Sequence, residues 1–153
     1  EIAKAVSGDL TCDSDFEIDS ISTDTRTLEP GDLFIALVGE NFDAHNFIDD
    51  NLAKQVKALV IQENIDVECE NIIKVDDTTK ALQTMAKFHR ANFKDVKVIG
   101  ITGSSGKTST KDILFNLLNK KYNIKRNEGN LNNHIGVPLT LFRLNGDEDF
   151  FIF

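Results

Sequence analysis

Residues 96–111 read VKVIGITGSSGKTSTK, and their types and spacing suit the binding of a polyphosphate. An apolar, β-branched run from Val96 to Thr102 meets Gly103-Ser104-Ser105-Gly106-Lys107-Thr108, and a helix-like stretch follows. In such a loop successive backbone N–H groups surround an anion, the new helix directs its positive end at it, and the lysine bonds the β- and γ-phosphates. Thr108 is placed to offer its hydroxyl to a magnesium ion. Glycine lets the backbone close around oxygen atoms without a Cβ in the way. The general pattern G-x-x-x-x-G-K-[ST] puts its first glycine at position 101, where this chain has Ile101 between Gly100 and Gly103, so the loop is a shortened variant. A strand before it and a helix after it are the context that separates a phosphate loop from an ordinary Gly/Ser turn.

The elements that must hold this loop are legible as a β/α alternation. Residues 1–10 predict a short helix with Ile2, Ala3, Val6 and Leu10 on one side, followed by a polar, acidic stretch through Ser20. Leu33–Leu37 reads as a strand after the Pro30-Gly31 turn, Phe47–Val56 as a helix, and Ala58–Ile61 and Ile72–Val75 as strands. A helix capped by Thr78 or Thr79 runs to about Asn92, its stripe supplied by Ala81, Leu82, Met85, Ala86 and Phe88 or His89. After the phosphate loop a helix ends near Lys120-Lys121, where basic side chains suit the negative helix end. Tyr122–Lys125 reads as a short strand, Asn127–Asn133 as a loop, Pro138 as near a helix start, and Phe150–Phe153 as an apolar strand. The pattern implies an α/β fold in two parts: a small mixed α/β domain over 1–78, and over 79–153 the beginning of a parallel-sheet phosphate-loop domain. Glu1 in place of a methionine and an ending on a buried strand read as a piece of a longer protein.

Composition narrows the partners. The 153 residues are 41% hydrophobic, enough for a packed core, and carry a net charge of −8. Residues 1–80 hold 19 acids against 6 bases, residues 81–153 only 6 acids against 11 bases. The basic half is the half with the phosphate loop, as an anion site prefers. No basic-aromatic surface pattern appears and the acidic half repels a polyanion, so nucleic acid is not an expected partner. No apolar run approaches the roughly 18 residues of a membrane span, and no secretory signal is visible. Cys12 and Cys69 lack metal-ligand spacing and read as thiols in a reducing cytoplasm. His89 reads as a helix-face residue and His134 as a solvated loop residue, neither as a ligand.

Two further segments extend the phosphate loop into a family pattern. Residues 22–48, STDTRTLEPGDLFIALVGENFDAHNFI, resemble the N-terminal signature of the Mur ligases of peptidoglycan synthesis: D-S-R, then P-G-D-L-F-[VI]-A, then G-x-x-x-D-G-H-x-F-[IV]. Residues 127–141, NEGNLNNHIGVPLTL, resemble the branch that joins D-alanyl-D-alanine to UDP-N-acetylmuramoyl-tripeptide, and the TGSSGKTS loop points the same way. The sister ligase that adds the third amino acid shares the first signature but carries a T-T-P type segment where this chain has GNLNNHIGVP. Thr25 replaces the serine of D-S-R and keeps a hydroxyl. Ala44 replaces the glycine of D-G-H, which is strained if that position needs positive φ.

The resemblance implies an ATP-dependent amide-forming ligase that acts through an acyl phosphate, is cytoplasmic, and is a monomer at full length. ATP and Mg2+ are the implied cofactors, and UDP-N-acetylmuramoyl-tripeptide and D-alanyl-D-alanine the implied substrates. Lys107 and Asn133 are the implied catalytic residues. Gly103, Ser104, Ser105, Gly106, Lys107, Thr108 and Ser109 form the nucleotide set, with Thr108 on the metal. Asn130 and Asn132 accompany Asn133 in an asparagine-rich loop whose alternative role is turn formation. Thr25, Arg26, Asn41, Asp43 and His45 are candidates for the uridine diphosphate end; Asp24, Arg26 and Asp32 equally read as residues that tie loops together. The family's later metal-binding glutamate, modified lysine and C-terminal domain have no counterpart within these residues, so the chain alone is expected to be inactive. A non-catalytic UDP-sugar-binding module is the other reading. An unrelated phosphate-loop NTPase leaves residues 22–48 and 127–141 without a role.

Overall fold

The structure, a computed structural model, describes residues 2–11, 16–127 and 131–153; Cys12 and Asn130 lie outside the described residues. The chain divides into two compact units, Glu1–Met85 and Ala86–Phe153, and each is α/β with a sheet of its own. No helix among the described residues is long and apolar enough to cross a membrane.

The first unit is built around two strands that touch almost no water. β3 (Leu33–Ile35) and β4 (Ala58–Ile61) are apolar at every position, and all seven residues are buried. Such unbroken runs suit the centre of a parallel sheet covered on both faces. The observed order is β1-β5-β4-β3-β2, with β2 (Ile21–Ser22), β3, β4 and β5 (Ile72–Lys74) parallel and β1 (Asp9–Leu10) antiparallel at the edge. The helix expected over 1–10 stops early: α1 spans only Ile2–Ala5. Ser7 takes a positive φ of 53° and Gly8 follows, which turns the chain so that Asp9 and Leu10 pair with Lys74 and Ile73. The free edge of β5 outcompetes a helix pattern too short to be stable by itself. β2, at the end of the acidic stretch, is invisible to hydrophobic periodicity because it is two residues long.

Polar side chains hold the connections of this unit. Asp32 is 4% exposed, accepts from the Ser20 hydroxyl at 2.5 Å and from the Glu29 amide at 2.9 Å, and so closes the Pro30-Gly31 turn that delivers β3. It ties loops together. Asn71, also buried, donates to the Lys57 carbonyl at 2.8 Å. α2 (Asp50–Gln55) is capped by Asp49, which accepts from the Leu52 amide at 2.9 Å.

α3 (Thr78–Ala91) runs across the border between the units, and its cap corrects the expectation from sequence. Asp77, not Thr78 or Thr79, accepts the Lys80 amide at 2.9 Å. Thr78 is instead the first helical residue, buried, with its amide and hydroxyl both donated to Gln62 Oε1 at 3.0 and 2.9 Å. A carboxylate at this position also meets the positive helix end, an advantage the threonine lacks.

The second unit is a three-stranded parallel sheet in the order β6-β8-β7, so the last strand in sequence is the central one. β6 is Lys97–Ile99, β7 Ile124–Arg126 and β8 Phe150–Ile152. Val96, Leu144 and Phe151 form its small core with Phe93, Val98, Leu141 and Phe153 packed around them. α4 (Lys107–Leu118) follows β6, and α5 (Gly136–Leu141) precedes β8. His89 sets its ring edge-on to Phe93, 5.0 Å between centroids, and one ring nitrogen lies 3.0 Å from the Leu144 carbonyl. It is a packing residue.

Candidate functional site

β6 ends at Ile99, and the next seven residues turn the chain into α4. Gly106 is in the left-handed region, φ +77°, at the N-cap of α4, and no side chain caps that helix. An uncapped helix start leaves its first N–H groups directed outward, which is the geometry an anion needs. A Gly106→Ala change meets no atom within 4 Å but inherits the left-handed φ. That conformation costs an alanine about 1–2 kcal/mol, so the variant is expected to lower nucleotide affinity through a displaced loop while far-UV circular dichroism is unchanged; unaltered affinity in calorimetry overturns this account.

Lys107 is the first residue of α4, and its Nζ donates to the Gly103 carbonyl at 2.5 Å, so the side chain lies back over its own loop. Ser104, Ser105, Thr108 and Ser109 are exposed around it. The three parallel strands end together here. The Ile101 amide donates to the Phe153 carbonyl at 2.7 Å, and the Asn127 amide to the Ile152 carbonyl at 3.0 Å. Ile101, Asn127 and Phe153 thus form the floor of a cleft just beyond the carboxyl ends of the strands, the place where open α/β sheets bind ligands. Lys107, Thr108, Lys111 and Asn132 complete its lining, around a volume of ≈ 30 Å³.

Two of those residues do not stand out in the sequence. Lys111 lies one helical turn after Lys107 on the same face, and is only 9% exposed; the i, i+4 spacing was the available signal. Asn127 is 4% exposed. Its amino group reaches the Leu131 carbonyl at 3.4 Å, and its Oδ1 has no hydrogen-bond partner among the described residues. Asn132 joins the cleft, whereas Asn133 serves the backbone. The Asn133 Oδ1 accepts from the Ile135 and Gly136 amides at 3.2 and 2.7 Å and opens α5. Gly136 lets the Asn loop lie against α5, for a Cβ there would stand 2.6 Å from the Leu131 Cα. His134 is exposed.

The cleft has donors suited to a hard cation. Thr108 supplies a hydroxyl and Asn127 an orphaned amide oxygen, and no group of three or more His, Cys, Asp or Glu that could hold a metal lies among the described residues. Magnesium fits such a place, since it keeps several waters and takes few protein ligands beside phosphate oxygens.

The first unit carries a separate, larger cavity of ≈ 640 Å³, lined by Thr23, Asp24, Thr25, Arg26, Phe34, Phe42, Ala44 and Phe47. Two short 3-10 turns build it, Thr25–Thr27 and Ala44–Phe47, each capped by the aspartate before it. Asp24 accepts the Arg26 amide at 3.0 Å and both Nε and a terminal nitrogen of its guanidinium at 2.9 and 2.6 Å. The Arg26 side chain holds Asp24 at a pKa of about 2, and the guanidinium itself stays 85% exposed. Phe42 and Phe47 stack at 5.2 Å with their rings 18° apart, each 54% exposed.

Of the five residues expected at this end, Thr25 and Arg26 line the cavity; Asn41, Asp43 and His45 are not among its lining residues. His45 is buried, with Nδ1 on Asp43 at 2.6 Å and Nε2 accepting from the Gln62 amide at 3.1 Å. An Nε2 that accepts fixes the proton on Nδ1, so the ring is a neutral bridge between two loops. The His45 amide, and then its ring, lower the pKa of Asp43. Ala44 carries no strain, since Ser7 is the only described non-glycine residue with positive φ. Thr23, Phe42 and Phe47 escaped sequence reasoning; the two phenylalanines five apart in a loop were the visible sign. Cys69 is half-buried, with Sγ 3.4 Å from the Asn71 carbonyl, and burial raises the pKa of its thiol.

Sequence comparison matches residues 17–90 to the family described as Mur ligase family, catalytic domain, and residues 101–153 to the Mur ligase middle domain. The chain belongs to the Mur ligase family. It is 42% identical over 137 residues to the UDP-N-acetylmuramoyl-tripeptide–D-alanyl-D-alanine ligase of Escherichia coli, a match that covers 90% of this chain and 30% of that protein. With the Bacillus subtilis ligase of the same name it shares 43% over 129 residues, 83% of this chain and 28% of the relative. This Mur ligase chain therefore spans about a third or less of the length of the relatives it matches. Among solved structures, a crystal structure of MurF from Acinetobacter baumannii superposes with a TM-score of 0.91 at 37% identity, over 99% of this chain and 34% of that one. The MurF ligase of Thermotoga maritima in complex with ADP gives 0.77 at 32% identity, over 87% of this chain and 31% of its own.

Proposed function

We propose that this chain supplies the substrate-entry and phosphate-binding parts of a cytoplasmic, monomeric ligase that uses ATP to join D-alanyl-D-alanine to UDP-N-acetylmuramoyl-tripeptide. The observation that carries this reading is the uncapped start of α4 at the carboxyl ends of three parallel strands, with Lys107 and Lys111 beside it. A carboxylate is a poor electrophile, and phosphorylation by ATP turns it into an acyl phosphate that an amine can attack. Catalysis of that transfer is positioning and charge neutralisation. Lys107 leaves the Gly103 carbonyl to bond the β- and γ-phosphate oxygens, the loop amides from Gly103 to Thr108 cradle them, and Ser104, Ser105 and Ser109 add hydroxyl contacts. The Thr108 hydroxyl holds Mg2+, which when bound neutralises charge on the phosphates. Asn133, its oxygen committed to α5, acts through its amino group.

In the first unit, with 1–78 as its domain, the 640 Å³ cavity takes the uridine diphosphate end. Arg26 offers an exposed guanidinium to the diphosphate, Thr25 a hydroxyl, and the Phe42–Phe47 pair an apolar wall. Local donors are needed there because the unit as a whole is acidic. Asp43 and His45 support the cavity by holding the Ala44–Phe47 turn, and Asn41 lies beside that turn in sequence. The domain beginning at residue 79 carries the nucleotide.

Calorimetric titration with UDP-N-acetylmuramoyl-tripeptide and separately with Mg-ATP tests the division. Arg26→Ala is expected to weaken UDP-sugar binding about 10-fold or more, the loss of a charge-assisted contact, and to leave Mg-ATP binding unchanged. Equal UDP-sugar affinity in the variant removes Arg26 from the site. A full-length protein that binds UDP-sugar yet gives no Mg-ATP signal favours the second reading, a binding module, which the independent core and cavity of the first unit also suit.

A further inference from the structure

Asn127 presents a buried polar atom that no group among the described residues satisfies. It sits immediately after β7, fixed by its amide to the Ile152 carbonyl, with its side chain buried at the floor of the cleft beside Thr108 and Lys111. Its Oδ1 has no partner among the described residues. A buried acceptor left without a donor is costly to the fold, and such an atom in a ligand cleft points to something the ligand brings. A phosphate oxygen cannot serve, since both atoms accept. The partner is the cation itself, a water, or the ammonium of a lysine; magnesium keeps most of its waters and takes few protein ligands, which favours the water over direct ligation. The cleft volume of ≈ 30 Å³ has room for a water or two, above the roughly 10–15 Å³ that one needs. Water held only by Asn127 lacks the two to four partners that make a buried water stable. A water in the shell of a cation at Thr108 has them.

We infer that Asn127 is an outer-shell partner of the divalent cation that accompanies the nucleotide, its Oδ1 accepting a hydrogen bond from a metal-bound water. The inference rests on the phosphate-binding reading of the cleft. Acceptors behind the ligands orient and polarise such waters, and their loss typically lowers metal affinity about 10- to 100-fold. Lys111 sharpens the assignment. Its ammonium has no hydrogen bond or ion pair among the described residues and repels a cation at close range, which favours Thr108 as the residue beside the metal and directs the lysine to phosphate oxygen.

The test is nucleotide binding in the full-length protein, measured by calorimetry with ADP in Mg2+ and again in EDTA. In the wild type Mg2+ strengthens binding. Asn127→Leu, close in volume, is expected to weaken ADP binding about 10-fold or more in Mg2+ and to leave the EDTA value unchanged, with the Mg2+ concentration for half-maximal effect raised in proportion. Asn127→Asp, which keeps the acceptor, restores the Mg2+ effect, so the result survives if the leucine variant folds poorly. Equal weakening in Mg2+ and EDTA overturns the inference and makes the Lys111 ammonium the partner. A metal effect of wild-type size in the leucine variant overturns it outright. Failure of the wild type to bind ADP under either condition brings down the phosphate-site reading itself, and the inference with it.

Discussion

Replacing Lys107 with alanine is expected to abolish measurable ligation while UDP-sugar affinity stays within about twofold of the wild type. The side chain sits at the first turn of α4 with its Nζ resting on the Gly103 carbonyl, so the ammonium is already within the loop where phosphate oxygens arrive. A preorganised donor acting on developing charge is worth about 100- to 1,000-fold in kcat. Stability should barely move, since Lys107 is half-exposed and its only described bond is to a loop carbonyl. Steady-state phosphate release in the full-length protein, with a parallel UDP-sugar titration, gives both numbers. Near-normal turnover would remove the loop from the chemistry. Loss of UDP-sugar binding along with turnover would mean that the two sites are not separable.

The second large effect is on stability. The Glu148 side chain is wholly buried and pairs with Lys125 on β7, while its two oxygens also accept from the Asn145 and Gly146 amides at 3.4 and 3.0 Å. Lys125 additionally donates to the Arg143 carbonyl at 3.1 Å. The pair thereby pins the loop that feeds β8 to the strand beside it. Lys125→Met strands a buried carboxylate. Breaking a buried pair from one side costs about 3–5 kcal/mol. With Lys125 39% exposed to water the lower end applies: about 3 kcal/mol, or a fall in Tm of roughly 6–12 °C.

The pH dependence separates this account from a simple packing loss. Desolvation pushes the Glu148 pKa up, but the Lys125 side chain and backbone amides outweigh it, and the net direction is down. A depressed carboxyl contributes stability above its unfolded value of about 4.3, lost as pH falls through the lower folded value. Without Lys125 the desolvation dominates, and protonation relieves the variant. The difference between wild type and variant is therefore largest at neutral pH and shrinks below about pH 5. A gap that stays constant from about pH 7 to about pH 4 would mean that the ion pair is not its source. The double variant Lys125→Met with Glu148→Gln should recover most of the loss, as replaced pairs do.

Which features are legible in the sequence follows from which interactions are local. β3 and β4 could be read because every residue in them is apolar and buried on both faces, and the phosphate loop because its chemistry is carried by consecutive residues. α1 is shorter than its apolar pattern suggests because its competitor, the edge of β5, lies more than sixty residues away in sequence. The Asp77 cap lies one or two positions before the expected Thr78 or Thr79, where hydroxyl and carboxylate are both good caps and only the backbone angle decides between them. At the sites, residue type suggested His45 as a ligand, yet its two ring nitrogens are taken by Asp43 and Gln62 from different loops. Lys111 and Asn127 escaped for the opposite reason. Both lie at the ends of the segments that carry the motifs; Lys111 reaches Lys107 by one helical turn, and Asn127 only because the strand ends meet.

The order β6-β8-β7 has a kinetic side. β6 and β7 share no ladder, so every inter-strand ladder of this sheet passes through residues 150–152. During synthesis, which adds about 5–20 residues per second, the phosphate loop and α4 leave the ribosome before the central strand exists to support them. The first unit, whose parallel strands are all present by Lys74, has no such wait. Among the described residues, the sheet beneath the phosphate loop thus closes only when a strand inserts between two that have been standing apart. Such long-range closure is slow relative to local contacts. Until it occurs, Val98 and Ile124 are unpaired apolar edges, and chaperone engagement should be most persistent on nascent chains that have passed residue 126 but not yet exposed residue 152.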